Sequence, residues 1–356
     1  MKRLINFTKK ILLNGGLFIF FIVLTYRLMF AKLNVANAIE LLLGFNPLFL
    51  IIAILSVATM LALETLTIKR NLHVLGEHKS YLSCVKYTFA GNFFSIITPA
   101  ATGGQPMQIY LMNKDRIGTD KATLALMLDL AAYQIVIITL SLFGFFTFFN
   151  ETVKLFGSFY PMLIVGIVLN SSLLALTLLA IFSKTLIYQI VILCSGFLRT
   201  FRYKKADRFE TLALQWVTRY QQSAKVLRDN KKSVVINIAL MFIRISIMFT
   251  APLWVYMGLG LSGSNLLFIV AMQAVLHISC AALPLPGGVG VGEAIFLICF
   301  STIFPSSLID TAMLLSRGIG LYSIALISGV ALFVWYVVSY KKQHLRVQLP
   351  ANAGII

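Results

Sequence analysis

The chain has 356 residues, 59% hydrophobic and only 12% charged, with a mean hydropathy of +0.89. A soluble domain carries about twice that charged fraction, so the composition excludes a soluble globular protein and identifies an integral membrane protein. The formal net charge of +18 sits in loops between apolar runs, as positive-inside bias and anionic headgroups produce. No nucleic-acid-binding module is recognisable, so no nucleic-acid partner is expected.

In chain order, Lys2, Arg3, Lys9 and Lys10 precede a first apolar run at 11–30. It is longer than a signal-peptide core and no small-x-small cleavage site follows it, so a retained span is expected. A second span is expected at 47–66, with Glu64 near enough to its end to reach the interface. A loop with Lys69, Arg70, His73, His78, Lys79 and Lys86 comes next. The following apolar run, 81–97, is interrupted by TPAATGGQP at 98–106, after which come Lys114, Arg116 and Lys121. Spans are expected at 122–149 and 159–182, joined by a short loop carrying Glu151 and Lys154. The connector 183–233 is strongly basic. Within it Phe209, Leu212, Ala213, Trp216, Tyr220, Ala224 and Leu227 share one helical face. That is the pattern of an interfacial helix on an anionic leaflet, although an ordinary positive-inside loop explains most of the charge. A fifth span at 234–259 should kink at Pro252. The apolar stretch 266–304 is interrupted by LPLPGGVGVGE at 283–293, and a last span at 312–340 ends in Trp335, Tyr336 and Tyr340, an aromatic belt.

The two interruptions organise the reading. Their apolar flanks are too short to cross a bilayer comfortably, since a span needs roughly 20 residues. Each has a proline, a glycine pair and then a polar residue: Gly103, Gly104 and Gln105 in the first, Gly287, Gly288 and, further on, Glu293 in the second. A helix broken inside lipid strands backbone groups at several kcal/mol each, and survives only where protein or a water-filled cavity covers the break. Paired interruptions in two halves of a membrane protein point to a transport site. The positive-inside rule places every strongly basic loop on one side and every charge-poor loop on the other. The expected fold is therefore an all-α polytopic membrane protein with six full spans plus two oppositely oriented re-entrant hairpins, at 81–112 and 266–304, forming inverted-topology repeats. The halves are about 47–149 and 234–340, joined by cytoplasmic interfacial helices, and DKATLALMLDLAAY from Asp120 resembles DTAMLLSRGIGLY from Asp310. Both termini are expected in the cytoplasm, and the protein in the cytoplasmic membrane.

Several polar residues fall inside these apolar segments. Arg244 lies about 15 Å into its span at 1.5 Å per residue; Arg317 and Asp129 also lie well inside theirs, Glu293 and His277 belong to the second hairpin, and Gln105 and Gln108 to the first. An intramembrane charge costs at least about 2.5–3.5 kcal/mol, so it pairs or faces a cavity. In the functional reading, Arg244 and Arg317 draw in a phosphate, helped by amides at the glycine turns (Thr98, Thr102, Gly103, Gly104, Gly287, Gly288), while Glu293 and Asp129 balance the cations or sense protons. In the structural reading, Arg317–Glu293 and Arg244–Asp129 are buried pairs that lock the bundle, and His277 is a satisfied core histidine. Gly288, Gly290 and Gly292 have no preceding strand, so they are not a dinucleotide loop, and no P-loop occurs. Cys84, Cys194, Cys280 and Cys299 form no CxxC pair, so no disulfide framework, metal site or cofactor is expected.

TPAATGGQP followed by LPLPGGVGVGE and then Arg317 resembles the transmembrane domain of lysylphosphatidylglycerol synthases, and the similarity extends over nearly the whole chain. The resemblance implies a domain that flips aminoacylated phosphatidylglycerol, whose synthesis from aminoacyl-tRNA belongs to a separate soluble domain. Here the chain stops soon after Tyr340, so that catalytic domain is expected to be absent and no lysyltransferase chemistry is expected. Gln105 stands where the family often has an acid, and Asp129 lacks a neighbouring arginine; both departures bear on the substrate. Three functions fit. The first is a flippase or transporter for an anionic or aminoacylated phospholipid or a lipid-linked sugar. The second is a membrane-embedded transferase on a lipid phosphate, for which Asp115 and Asp120 are a poor version of the usual aspartate cluster. The third is a non-transporting partner of a separate lipid-modifying enzyme.

Overall fold

The computed structural model describes residues 44–98, 101–200, 206–280 and 290–348. The span expected at 11–30, and Gly287 and Gly288 of the second interruption, lie outside them. Among the described residues the α-helices are α1 (Pro47–Val74), α2 (Tyr81–Ile97), α3 (Gly104–Lys114), α4 (Thr119–Thr147), α5 (Phe149–Phe156), α6 (Tyr160–Phe182), α7 (Lys184–Thr200), α8 (Ala206–Asp229), α9 (Lys231–Phe249), α10 (Ala251–Gly258), α11 (Leu266–Cys280), α12 (Val291–Cys299), α13 (Ile309–Arg317) and α14 (Ser323–Gln348). Among the described residues, five stretches are long and apolar enough to cross a membrane: α1, α4, α6, α9 with α10, and α13 with α14. They coincide with five of the six expected spans. Large apolar side chains such as Leu326, 69% exposed, face outward along them, as lipid contact requires.

Local chemistry sets the helix ends. Asn46 accepts the Leu48 N–H at 3.0 Å ahead of Pro47, Ser80 caps α2 through the Ser83 N–H, and Asn230 caps α9 through the Ser233 N–H. Pro252 stands at the start of α10, and the helix breaks at Thr250 as its missing N–H demands. One boundary differs from expectation. Helix α1 does not stop near Leu66 but continues through Lys69, Arg70 and His73 to Val74, which places Glu64 well away from its end.

Cross-helix contacts fix the directions. Asn46 N–H donates to the Gly258 carbonyl at 2.9 Å, and Arg70 Nη2 to Ser233 Oγ at 3.2 Å, so α1 runs antiparallel to α9 and α10. Helices α2 and α3 form a tight antiparallel pair: Gln108 Nε2 donates to the Tyr87 carbonyl at 3.2 Å, and Asp115, just past α3, receives Lys86 and Tyr87. Helix α11 lies antiparallel to α4, with Ser141 Oγ donating to the Ala274 carbonyl at 2.8 Å. Small residues permit this approach: Gly144 lies against Ala271, where a Cβ would stand 3.1 Å from its neighbour, and at Gly166 any side chain would collide with the Ile278 carbonyl. Helix α2 lies antiparallel to α14, the Lys86 ammonium resting 4.7 Å over the Trp335 ring. The Tyr256 and Phe304 rings, 5.7 Å apart, and the bond from Ser264 N–H to the Tyr256 hydroxyl bring both outer ends of the α11–α12 pair together.

The apolar stripe of the connector is spent on the protein. Tyr220, Ala224 and Leu227 are buried in a cluster with Leu124 and Ile117, and Trp216 Nε1 donates to Thr119 Oγ1 at 3.2 Å. Only Phe209 and Leu212 remain exposed, so most of the face expected to meet a leaflet docks on α4 instead. Helix α7 keeps Ile190, Leu193 and Phe197 exposed.

Two outcomes test the first helix pair. A Cβ on Gly104 would meet Ser95 Oγ and the Gly91 carbonyl, so Gly104→Ala should lower stability by about 1–3 kcal/mol in a chemical unfolding titration. Burial alone would raise the Asp115 pKa, but the bonds from Lys86 and Tyr87 and the charges of Lys86 and Lys79 outweigh it and hold the carboxyl below its ordinary value. Its contribution is therefore complete above the unfolded value, about 3.9, and is lost as pH falls through the lower folded value. Melting temperature across that acid window should fall more steeply in the wild type than in Asp115→Asn.

Candidate functional site

The site is built from charges placed deep in long helices. Glu64 lies ten residues before the end of α1 at Val74, Asp129 ten after the start of α4 at Thr119, and Arg244 thirteen after the start of α9 at Lys231. Those three ends all lie at the basic end of the bundle, so each charge is about 15–20 Å from it at 1.5 Å per residue. That depth lies well inside the apolar part of the bundle, beyond the basic residues of those end turns, where an unpaired charge is costly. There Arg244 Nη1 stands 3.8 Å from Glu64 Oε2, and Nη2 stands 3.6 Å from Asp129 Oδ2. Asn92 of α2 donates to the same Glu64 oxygen at 2.9 Å. Arg244 Nη1 and Asp129 Oδ1 are buried without a hydrogen-bond partner. One turn beyond Asp129, the Tyr133 hydroxyl meets His277 Nε2 of α11 at 2.6 Å, with the Phe249 ring 5.4 Å from the imidazole.

The expected pairing of Arg244 with Asp129 is thus present, and Glu64 joins it. Reading α1 as ending near Leu66 hid Glu64; its one usable signal was a carboxylate within an otherwise apolar run. Two acids against one guanidinium leave no surplus positive charge to attract an anion, which bears on the phosphate-binding role expected of Arg244.

The second expected pair also forms. Arg317 Nη1 lies 3.1 Å from Glu293 Oε1, and the side chains are 13% and 22% exposed. Glu293 does double work, because its other oxygen accepts the Gly290 N–H and caps α12. Gly290 has φ +86°, which favours glycine. Arg317 rests on Gly292, where any side chain would collide with the guanidinium, and Cys280 Sγ lies at the same place. Cys280 is one turn beyond His277, so Tyr133 and His277 stand between the two ion-paired groups along α11.

At the first interruption, Thr98 Oγ1 donates to the Phe94 carbonyl at 2.6 Å and accepts the Gly103 N–H at 2.9 Å. That amide is therefore used to close the turn and is not offered to a ligand. Gly104 is buried against Ser95, Gln105 is half-buried, and Thr102 is exposed. Gln108 is buried with its side chain across Gly91.

Removing one member of a buried ion pair leaves an uncompensated charge and costs about 3–5 kcal/mol. Arg244→Met should therefore destabilise the bundle by that amount in an unfolding titration. Adding Glu64→Gln and Asp129→Asn to it should recover most of the loss.

Sequence comparison agrees with this architecture. The chain matches the family model described as the lysylphosphatidylglycerol synthase TM region over residues 11–328. It is also similar to a UPF0104 membrane protein of Archaeoglobus fulgidus, 24% identical over 281 residues, covering 76% of this chain and 82% of that relative. A multi-pass helical bundle matching the family model from its first apolar run into its last long helix belongs to the lysylphosphatidylglycerol synthase TM region family.

Proposed function

We propose that the protein moves a lipid with an anionic headgroup between leaflets, with α2–α3 and α11–α12 as re-entrant hairpins entering from opposite faces. The observation that carries this reading is the Arg317–Glu293 pair, a partly exposed ion pair at the break of an apolar helix. A bundle held together by packing alone has no need of a charge there, and in lipid it is costly. A headgroup phosphate can replace the Glu293 carboxylate on Arg317, a bidentate exchange of one anion for another. The pairings add support: α1 runs antiparallel to its counterpart α9–α10, while α2 packs on α14 as α11 packs on α4. Corresponding elements of the two halves that run in opposite directions are what inverted repeats require, and such repeats underlie alternating access. The positive-inside rule would put the basic end in the cytoplasm, so that α2–α3 opens inward and α11–α12 outward. The family's description names a phospholipid synthase, which favours a phospholipid over other amphiphiles.

Leaflet exchange in proteoliposomes tests the reading, with fluorescent phosphatidylglycerol, its lysyl form and a polyprenyl-phosphate sugar as substrates. One lipid should move with the wild type. Arg317→Ala should slow it about tenfold or more, as loss of a charged hydrogen bond implies. If no lipid moves, while Arg317→Ala and Glu293→Ala only lower the melting temperature, the pair is structural and the reading falls.

A further inference from the structure

Glu64 and Asp129 present two carboxylates to one guanidinium in the middle of the bundle. Fully ionised, the group carries one net negative charge. An isolated buried charge is costly enough that such sites take up a proton instead. Among the described residues, the titratable or charged groups facing it are few: Glu64 from α1, Asp129 and Tyr133 from α4, Arg244 from α9, and His277 with Cys280 from α11, while α2 contributes only the neutral Asn92. None of these adds a second fixed cation, and Arg317 is already matched by Glu293.

We infer that the Glu64–Asp129–Arg244 cluster, with Tyr133 and His277 beside it, binds one exchangeable proton and couples lipid movement to a proton gradient. The inference rests on the lipid-moving reading above and names its coupling ion. Asp129 Oδ1 is a buried acceptor with no partner, an open basic atom where the proton can reside. Tyr133, four residues on from Asp129, is on the same face of α4, and its hydroxyl reaches His277 Nε2 at 2.6 Å. One turn further along α11, Cys280 lies beside Arg317 and Gly292. The polar line therefore runs from mid-bundle to the pair proposed to meet the headgroup. The guanidinium stands between the two acids, where a metal cation would have to sit, so the ion that fits without displacing it is a proton. The four helices that hold the cluster come from both halves, so adding or removing its charge alters an interaction between them. That is what a coupling site must do to bias an equilibrium between two arrangements.

Two measurements on the full chain separate the possibilities. Infrared difference spectra between acid and alkaline pH, in lipid nanodiscs, read the protonated-carboxyl C=O band. The band should be present and should be lost in Glu64→Gln or in Asp129→Asn; a spectrum without it, or with a band indifferent to both substitutions, overturns the proton site. Leaflet exchange is then followed with and without an imposed pH gradient. The rate should rise several-fold with the gradient, and Glu64→Gln should abolish the response. Exchange that ignores the pH gradient, or follows a sodium gradient instead, overturns proton coupling and leaves the lipid-moving reading intact. Failure of every lipid to move under any gradient removes the lipid-moving reading, and the coupling with it.

Discussion

A guanidinium in the middle of an apolar bundle cannot be left alone, and meeting that demand fixes much of this molecule. Arg244 reaches one carboxylate on α1 and another on α4, so three long helices are held at one depth. Asn92 ties α2 to the same group through Glu64. The distances of 3.8 and 3.6 Å exceed those of a tight charge-assisted bond. Strong geometry would favour permanence; looser contacts and unpartnered buried atoms suit a group whose charge changes. A buried ion pair is weak evidence for stability in any case, since desolvation offsets most of its attraction.

The interrupted helices meet a second demand, that backbone groups exposed by a break find partners. At the first break a single hydroxyl serves twice, Thr98 Oγ1 donating to the Phe94 carbonyl and accepting the Gly103 N–H. At the second, Glu293 caps α12 and pairs with Arg317. The glycines work chiefly through their lack of a side chain: Gly104 admits Ser95, Gly166 admits the Ile278 carbonyl, and Gly292 admits Arg317. Close helix approach and charge placement are therefore one problem in this bundle, solved at the same few positions.

How much of this was legible follows from what each signal depends on. Span positions depend on local apolar runs, and four were legible within about three residues, while α1 runs eight residues past its expected end. The break at Pro252 depends on one residue's covalent structure and was equally plain. The partnership of Arg317 with Glu293 and of Arg244 with Asp129 could be anticipated because buried charges must pair, although depth alone could not choose between partners. Glu64 was missed because Lys69 and Arg70 looked like an interface, whereas their long stems let α1 run on to Val74. The connector's stripe was read correctly as one face, but periodicity does not say whether a face meets lipid or protein, and Tyr220, Ala224 and Leu227 meet α4. The use of the Gly103 amide by Thr98 is a matter of side-chain rotation that no spacing encodes.

The π turn at Gly318–Tyr322 gives the last span a property the other described helices lack. A π turn inserts one residue into an α-helix, which rotates everything on one side by about 100° relative to the other. Helix α14 is anchored to α2 through Trp335 and Lys86, while Arg317 lies immediately before the turn, on α13. The extra residue therefore sets the azimuth of Arg317 about 100° from where an unbroken α-helix in phase with α14 would place it. The span is in effect two helices sharing one axis, phased separately, one segment presenting Arg317 to Glu293 while the other packs on α2.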